Sequence, residues 1–461
     1  MTALPLPSGL RGSDESKKQI EVLKNLYYTS DTVGTLNPRP AVEQVLTANG
    51  RCRGTGLFKE ELYFVANDRL LRIEIINPFD VDNVINNIRI VDLGEITGSV
   101  NCVLVAGFTS LLIMVKGGQA FTYSKGSGLN LITDPSFITS VSACYVQGRF
   151  VFVPQDGESF FWSELQDPAN ILPSNFADAE NFPDPNKMCF SLNDQLYIGG
   201  TRSFQRLRYD AQLDTFISVA GTSSNIGYVS GDADFRESFI FIGRGFNGGF
   251  SIFDIRNPQQ AISNGTVDDI LNKEYTLEEL ESVDAQSFNW NGDNIAVFNL
   301  PRHTLVYYGD WALWSSGISG QKDDVWDIGF TQFAYGLIFT GDTFTGKIGI
   351  LTNNQTDYGQ DIEYEMVTYI RSPEGRADFR IKNIFLECTT GQKNENKTMS
   401  LSVSENGGRY GDPVWADLGE QGDLNLEMSW GTPIGTFRNY CGLKFRWVGD
   451  ISVNIDGASF E

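Results

Sequence analysis

The chain contains a single histidine, His303, within the stretch NLPRHTLVYYGDW. A lone histidine in 461 residues raises the possibility of acid–base, nucleophilic or metal chemistry, because imidazole can serve in all three near neutral pH. Ser-His-Asp catalysis would also need an exposed serine, and no G-x-S-x-G motif occurs in the chain. His303 follows Pro301 and Arg302 between two strand-like runs. We therefore predict a strand residue that is packed or hydrogen-bonded, not a catalytic one.

The cysteines likewise lack a pattern that would bind a metal. None of the six forms a CxxC pair, and most lie in apolar runs such as SVNCVLV and IFLECTT. A structural zinc site needs closely spaced Cys or His ligands. We expect buried, reduced thiols and synthesis in a reducing compartment. The six positions are Cys52, Cys102, Cys144, Cys189, Cys388 and Cys441.

Two glycine-rich stretches resemble known motifs without the context that those motifs need. Gly243, Gly245 and Gly248 match GxGxxG, but strand-like residues lie on both sides, whereas a dinucleotide site needs a helix after the glycines. The stretch SENGGRYG, residues 404–411, loosely resembles the Asp-box turn of sialidase-like propellers, with Asn406 in place of the aspartate. That turn is structural, so neither stretch predicts a reaction.

Carboxylates are abundant, but their spacing singles out no site. With 58 acidic residues, the paired carboxylates that glycoside hydrolysis requires could arise anywhere by chance. Calcium loops of the D-x-D-x-D-G kind are missing from the sequence. The short stretch FQRLRY, residues 204–209, is too isolated for a nucleic-acid face, and we expect its arginines to point to solvent. We predict no catalytic, cofactor-binding or metal-ligating residues.

The formal net charge of −23 limits the partners that the chain can have. Tight binding of phosphates over a broad face needs clustered Lys and Arg. The sequence also lacks a signal-peptide core and any run approaching the roughly 18 apolar residues of a membrane span. We therefore expect no membrane insertion, synthesis in the cytoplasm, and unused glycosylation sequons at Asn264, Asn354 and Asn396.

The elements that would position any site are β-hairpins that recur from residue 62 onward. Each is a β-branched or aromatic run, a Gly, Asn or Asp turn, and a second run. A hairpin spacing of roughly 40–50 residues is typical of β-propeller blades. We predict an irregular propeller of about six to seven blades; the alternative is a large all-β protein with chance spacing. The hairpins begin at Leu62, Leu111, Phe150, Leu196, Phe239, Ile295 and Gly336.

Three regions follow from the changes in pattern along the chain. Residues 1–50 are mixed and predict an N-terminal arm that docks on a neighbour or packs on its own domain. Residues 51–355 hold the propeller, with one short helix inserted where Thr276 and Glu279 form a T-x-x-E capping box. Residues 360–461 carry further alternating strands and predict a C-terminal β-sandwich.

The stretch LPRHTLVY, after a YT-x-E-E helix start at Tyr275–Glu279, resembles the packaged DNA stabilization proteins of short-tailed phages, also called tail hub or nozzle proteins. Weaker similarities follow in the same order, from NLYYTSDTVGTLNPRP near the start to GLKFRW and ISVNIDGASFE at the end. They extend over residues 25–461. The S-x-D-G-G turn of the family is only partly kept, since Glu405 and Asn406 stand within it here.

The resemblance implies a structural protein of the virion tail, not an enzyme. Its expected partners are five: copies of itself in a ring of six, the portal-adaptor protein, a tail needle or plug, tailspike or tail fibre proteins, and passing double-stranded DNA. The ring would lie below the portal-adaptor, let DNA pass during ejection and help to retain the packaged genome. No catalytic residue and no cofactor is implied.

Charge adds an expectation of its own. A basic channel would bind DNA phosphates and stall the genome, so we expect acidic residues of the middle region to line the lumen. The alternative function is a carbohydrate-binding or glycan-cleaving propeller, such as a phage depolymerase or lectin. That alternative requires a cleft with exposed tryptophans and a carboxylate pair.

Overall fold

The structure is a computed structural model that describes most of the chain in twelve stretches; between residues 11 and 20 it describes the backbone only. The described residues are 2–13, 16–29, 35–76, 87–179, 183–319, 325–372, 378–390, 397–405, 407–419, 426–431, 434–449 and 453–461.

Within these residues, seven antiparallel groups of strands follow one another along the chain as propeller blades; six are separate small sheets, and the sixth blade is part of a ten-stranded sheet. The first four have four strands each. They are β7 to β10 (Cys52–Phe58, Glu61–Ala66, Arg69–Ile75, Ile88–Glu95), β11 to β14 (Cys102–Ala106, Leu111–Val115, Ala120–Ser124, Gly128–Leu131), β15 to β18 (Ser140–Val146, Arg149–Pro154, Ser159–Trp162, Phe176–Asp178) and β19 to β22 (Asn186–Leu192, Gln195–Gly200, Phe204–Asp210, Thr215–Ser218).

The last three blades depart from this regularity. Blade 5 has three described strands, blade 6 has four, and blade 7 takes its fourth strand, β6 (Ala41–Thr47), from the N-terminal segment. The others are β23 to β25 (Gly227–Asp234, Phe239–Arg244, Phe250–Asp254), β26 to β29 (Asp284–Trp290, Asp293–Asn299, Thr304–Tyr308, Leu313–Gly317) and β30 to β32 (Gly329–Ala334, Leu337–Gly341, Lys347–Thr352).

Each of the seven predicted hairpins forms the second and third strands of a blade, so the propeller prediction is confirmed. These strands read as unbroken apolar runs because neighbouring blades cover both of their faces: all five residues of β12, LLIMV, are buried. Burying a large aliphatic or aromatic side chain contributes roughly 1.5–3 kcal/mol. The first strand of each blade lies innermost and packs against the first strands of the adjacent blades, which closes the ring.

The turn between the first two strands of a blade has a second sequence signal. In six of the described blades it is a two-residue loop with positive φ at both positions, the geometry of a type I′ turn, whose twist matches that of the strands it joins. The pairs are Lys59–Glu60, Gln147–Gly148, Asn193–Asp194, Arg236–Glu237, Asn291–Gly292 and Tyr335–Gly336.

Two short helices, not one, separate blades 5 and 6. Helix α1 (Gly265–Glu274) is capped by the Asn264 side chain, which accepts hydrogen bonds from two backbone amides. Helix α2 (Leu277–Glu281) begins at Thr276, and the predicted capping box with Glu279 is present. The T-x-x-E pattern therefore predicts α2 correctly, whereas α1 begins with an asparagine cap and was not predicted.

The C-terminal region is a sandwich of two sheets, as predicted. One contains β35, β42, β38 and β39; the other contains β43, β37 and β40; β36 pairs with β41, and a β33–β34 hairpin precedes them. Their bounds are Thr356–Asp357, Gln360–Asp361, Glu363–Arg371, Asp378–Ile381, Ile384–Thr389, Thr398–Ser404, Val414–Asp417, Leu426–Trp430, Gly435–Arg438, Tyr440–Val448 and Asn454–Phe460 for β33 to β43 in order.

The N-terminal segment is part of both domains. Strand β1 pairs with β43, β3 lies between β29 of blade 6 and β35 of the sandwich, and β5 pairs with β4 and β43. One sheet is thus continuous from blade 6 into the sandwich. The expected docking of residues 1–50 on a neighbour stays a prediction, since the described strands find their partners within this chain. Strands β1 to β5 are Thr2–Ala3, Arg11–Ser13, Ser16–Lys24, Leu26–Tyr28 and Leu36–Pro38.

A buried ion pair lies where the N-terminal segment, the propeller and the sandwich meet. Arg39 and Asp357 are both fully buried, with Nη2 and Oδ2 2.6 Å apart. The Arg39 guanidinium also lies 4.1 Å from the ring centroid of Trp326, and its Nε donates to Asn25 Oδ1 at 2.7 Å. Asn25 in turn donates to the carbonyl oxygen of Glu363. Because these groups come from four parts of the chain, their burial couples the two domains.

Candidate interaction surfaces

His303 lies in the loop between the second and third strands of blade 6 and bonds to the helical insertion. Its Nε2 is 2.9 Å from Glu274 Oε2, and its ring meets Tyr275 edge-on. The neighbouring Arg302 bonds to Glu279 at 2.7 Å and lies over the Tyr275 ring. Both side chains therefore connect α1 and α2 to the blade. His303 is hydrogen-bonded, as predicted, but it lies in a loop and not in a strand.

The other sequence motifs lie in strands and turns. All six cysteines are buried free thiols, as predicted, and burial raises the pKa of Cys52 and Cys388 to about 12. The glycines of GxGxxG lie in the β24–β25 hairpin, with strands on both sides. The Ser404 hydroxyl accepts a hydrogen bond from the Gly407 amide. Asn396 and Asn406 lie outside the described residues.

A polar cavity of about 320 Å³ lies on the propeller axis, lined by residues from the first strand of every blade. Lys116 enters it from blade 2, with Nζ 3.5 Å from Asp284 Oδ1. Tyr228 donates a hydrogen bond to Asp232 at 2.6 Å. At about 30 Å³ per water molecule, the cavity could hold roughly ten waters. It is too small for a DNA duplex.

Burial and charge act in opposite directions on the ionisable groups of this axial cavity. Burial raises the pKa of Asp284, and Lys116 offsets only part of the rise. Burial alone would lower the pKa of Lys116, but the carboxylates of Asp284 and Asp232 raise it above its ordinary value. The ammonium group is thereby held charged between two aspartates. The arrangement is that of a polar network which links the inner strands around the axis.

A groove opens on the propeller surface between blades 4 and 5. Two adjoining cavities, of about 1220 and 510 Å³, share Asn225, Gly245 and Phe246 in their walls. Arg206 lines the larger one, and its Nε is buried without a hydrogen-bond partner among the described residues. The expectation that both arginines of FQRLRY point to solvent is thus wrong for Arg206, which is half-buried, and right for Arg208, which is exposed.

Comparison with models of known protein families identifies the family of this chain. One, described as the β-propeller of bacteriophage P22 Gp10, matches residues 2–356, and another, described as its β-sandwich, matches residues 363–461. The chain belongs to the P22 Gp10 family. It is 22% identical over 403 residues to the tail hub protein gp10 of Salmonella phage P22, a match that covers 80% of this chain and 82% of that protein.

Family membership makes this chain a structural protein of the phage tail, and the resemblance drawn from LPRHTLVY is confirmed. The two matched regions meet between residues 356 and 363, where Asp357 forms the buried ion pair with Arg39. Residues 1–50 fall almost wholly within the match to the Gp10 propeller, in agreement with the strand that they contribute to blade 7.

Site chemistry adds no further candidate in the part of the chain that the structure describes. There, no three His, Cys, Asp or Glu side chains are grouped as a metal would need, and no helix is long and apolar enough to cross a membrane. The wall of the groove contains neither tryptophan nor carboxylate among its described residues. The geometry that glycan cleavage requires is therefore not found in that groove.

Proposed function

We propose that this chain is the tail hub of a short-tailed phage, assembled as a ring of identical subunits below the portal-adaptor. DNA passes through the ring during ejection, and a tail needle or plug held by the ring retains the genome beforehand. Tailspikes or fibres attach around it. The observation that carries the proposal is the match of both domains, over residues 2–356 and 363–461, to the propeller and sandwich of P22 Gp10.

The size of the axial cavity supports a lumen between subunits. A space of about 320 Å³, plugged by Lys116, cannot admit duplex DNA, whose major groove alone is about 12 Å wide. In this proposal the propeller axis is a filled core and DNA passes through an opening that several copies surround. Acidic residues of the propeller line that opening, so that the genome slides without binding.

Electron microscopy of the purified protein, alone and with the portal-adaptor, tests the ring directly. We expect closed rings with a central opening wide enough for duplex DNA. A monomer that enters neither rings nor tails would overturn the proposal. A DNA titration followed by fluorescence anisotropy at low salt tests the sliding channel: we expect no measurable binding. Tight, salt-sensitive binding would contradict the acidic lumen while leaving the ring intact.

A further inference from the structure

The groove between blades 4 and 5 differs in charge from the rest of the molecule. Its wall contains Arg202, Arg206, Arg244 and Arg256 and no Asp or Glu among the described residues, in a chain with 58 acidic and 35 basic residues. Arg256 is paired with Asp254 at 2.6 Å. We call the surface formed by Arg202, Arg206, Arg244 and Phe246 the arginine groove.

Among the described residues, the side chains of the three remaining arginines form no ion pair, although the backbone amide of Arg202 donates to Asp184 Oδ2 at 2.6 Å. Arg202 and Arg244 are exposed, and Arg244 Nε donates to the carbonyl oxygen of Gly248 at 3.3 Å. The buried Nε of Arg206 lacks an acceptor altogether within the described part of the chain. Arg206 as a whole is half-buried and lines the groove, so the three guanidinium groups together offer donors to a ligand that supplies carboxylate oxygens.

Phe246 stands at the mouth of the groove and is 92% exposed. Its loop is held in shape by hydrogen bonds, from Gly245 N to Gly249 O at 2.8 Å and from Gly248 N to Gly245 O at 2.9 Å. The ring is therefore presented on a defined turn. An exposed aromatic side chain beside arginines has the composition of an interface hot spot, where these residue types are enriched.

The charge of the chain indicates what the groove binds. Copies carrying −23 each repel one another when they are placed side by side, so a ring of them needs contacts of opposite sign. A ring also needs a heterologous contact, in which one patch of a subunit meets a different patch of the next. The arginine groove supplies a positive patch, and the carboxylates outside it are available on the neighbouring copy.

We propose that the arginine groove receives an acidic surface of a second copy of this chain and is one side of the contact that closes the ring. The inference rests on the proposed ring function. The carboxylates of the neighbour bond to Arg202, Arg206 and Arg244, and Phe246 packs against the same copy. Since one patch receives and another inserts, a subunit with a damaged groove can still insert into an intact one.

The test compares Arg202→Glu/Arg244→Glu with the matched control Arg208→Glu/Arg438→Glu. Both pairs are exposed arginines and both changes alter the net charge equally. Self-association is measured by mass photometry at low and high salt, and folding by circular dichroism. We expect the groove variant to associate at least about tenfold more weakly and the control to associate as the wild type does. Phe246→Ala, which leaves the charge unchanged, should weaken association in the same direction.

Mixing adds a second readout. The groove variant should stop growing rings when it is added to wild-type protein, because it inserts but cannot receive, and incomplete arcs should accumulate. Equal association of groove variant and wild type would overturn the inference, as would equal losses in the two charge-reversed pairs. So would a groove variant that assembles normally but loses binding to a duplex DNA probe. If the wild type itself neither associates nor enters tails, the ring function fails first.

Discussion

Blades 2 to 4 and the C-terminal sandwich are built on opposite plans. Each of those blades is one continuous stretch of chain, in which every strand pairs with its neighbour in sequence. The sandwich instead takes β1, β3, β4 and β5 from the N-terminal segment, and its β3 also borders blade 6. Local pairing makes the blades modular, whereas the sandwich depends on residues that are more than 300 positions away. Damage to the N-terminal segment should therefore affect mainly the sandwich and the two blades that the segment contacts, blades 6 and 7.

The largest effect is expected from deleting residues 1–28. Leu23, Leu26 and Tyr27 are buried completely or nearly so in a hydrophobic core formed jointly by the propeller and the sandwich, and Tyr27 stacks on Tyr308 with ring centroids 4.6 Å apart. We expect the sandwich to lose cooperative folding and blade 6 to be weakened, while blades 1 to 5 stay folded. Limited proteolysis followed by mass spectrometry should find early cleavage concentrated beyond about residue 360 and no early cleavage in blades 1 to 5. Uniform cleavage of both domains would contradict the modular interpretation.

Arg39→Met should have the next largest effect. It leaves Asp357 buried and unpaired, which typically costs about 3–5 kcal/mol; chemical denaturation measures the loss. The matched control is Arg69→Met, because the Arg69–Asp92 pair is 39% and 49% exposed and such pairs contribute about 1 kcal/mol or less. Adding Asp357→Leu to Arg39→Met should restore part of the stability. Similar losses for Arg39 and Arg69 would mean that the junction is not a coupling point.

Gly346→Ala tests the closure of blade 7 alone. A Cβ at Gly346 would lie 2.0 Å from the carbonyl oxygen of Ala48 and 2.6 Å from that of Gly50, so the residues after β6 would have to move. We expect a loss of about 1–3 kcal/mol in the free energy of unfolding. Gly265→Ala is the control, since nothing lies within 4 Å of its Cβ; it should change stability by less than about 0.5 kcal/mol.

Glu279→Gln should have the smallest effect and should depend on pH. The Thr276 backbone amide and then the Arg302 side chain hold the pKa of Glu279 below its ordinary value. A carboxyl whose pKa is lowered in the folded state stabilises the fold above its unfolded pKa, about 4.3 for Glu, and loses that contribution as pH falls through the folded pKa. The Tm of Glu279→Gln should therefore lie below that of the wild type at pH 7, and the difference should vanish in acid. A constant difference would show that the charge is not involved.

The blades could be predicted from the sequence, but the contacts that join the N-terminal segment, the propeller and the sandwich could not. The runs at Leu111 and Phe150 predict hairpins because short apolar runs with β-branched or aromatic residues favour strands. Arg39 carries no such signal: nothing in NPRP indicates that its partner lies at position 357. Arg206 was misassigned for a similar reason, since a period-2 pattern sorts a strand into two faces without saying which neighbouring blade covers each.

The candidate surface was the least predictable feature. GxGxxG was correctly interpreted as a hairpin, yet the sequence did not indicate that Phe246 would stand beside Arg202 and Arg206, which lie about forty residues earlier in the chain. That juxtaposition depends on how blade 5 packs against blade 4. Pairing within a hairpin joins residues that are close in sequence, whereas contacts between blades join residues that are far apart in sequence.

The amino-acid sequence by itself determined the strands, their turns and the order of two β domains, because alternation, apolar runs and turn residues act over a few positions. The tertiary structure alone decided that β6 closes the propeller, that β3 joins the propeller to the sandwich and that four arginines line one groove. These features arise from contacts between segments far apart in the chain, where each partner is one of many apolar or charged residues of its kind. The correct partners are selected only when all the blades pack together.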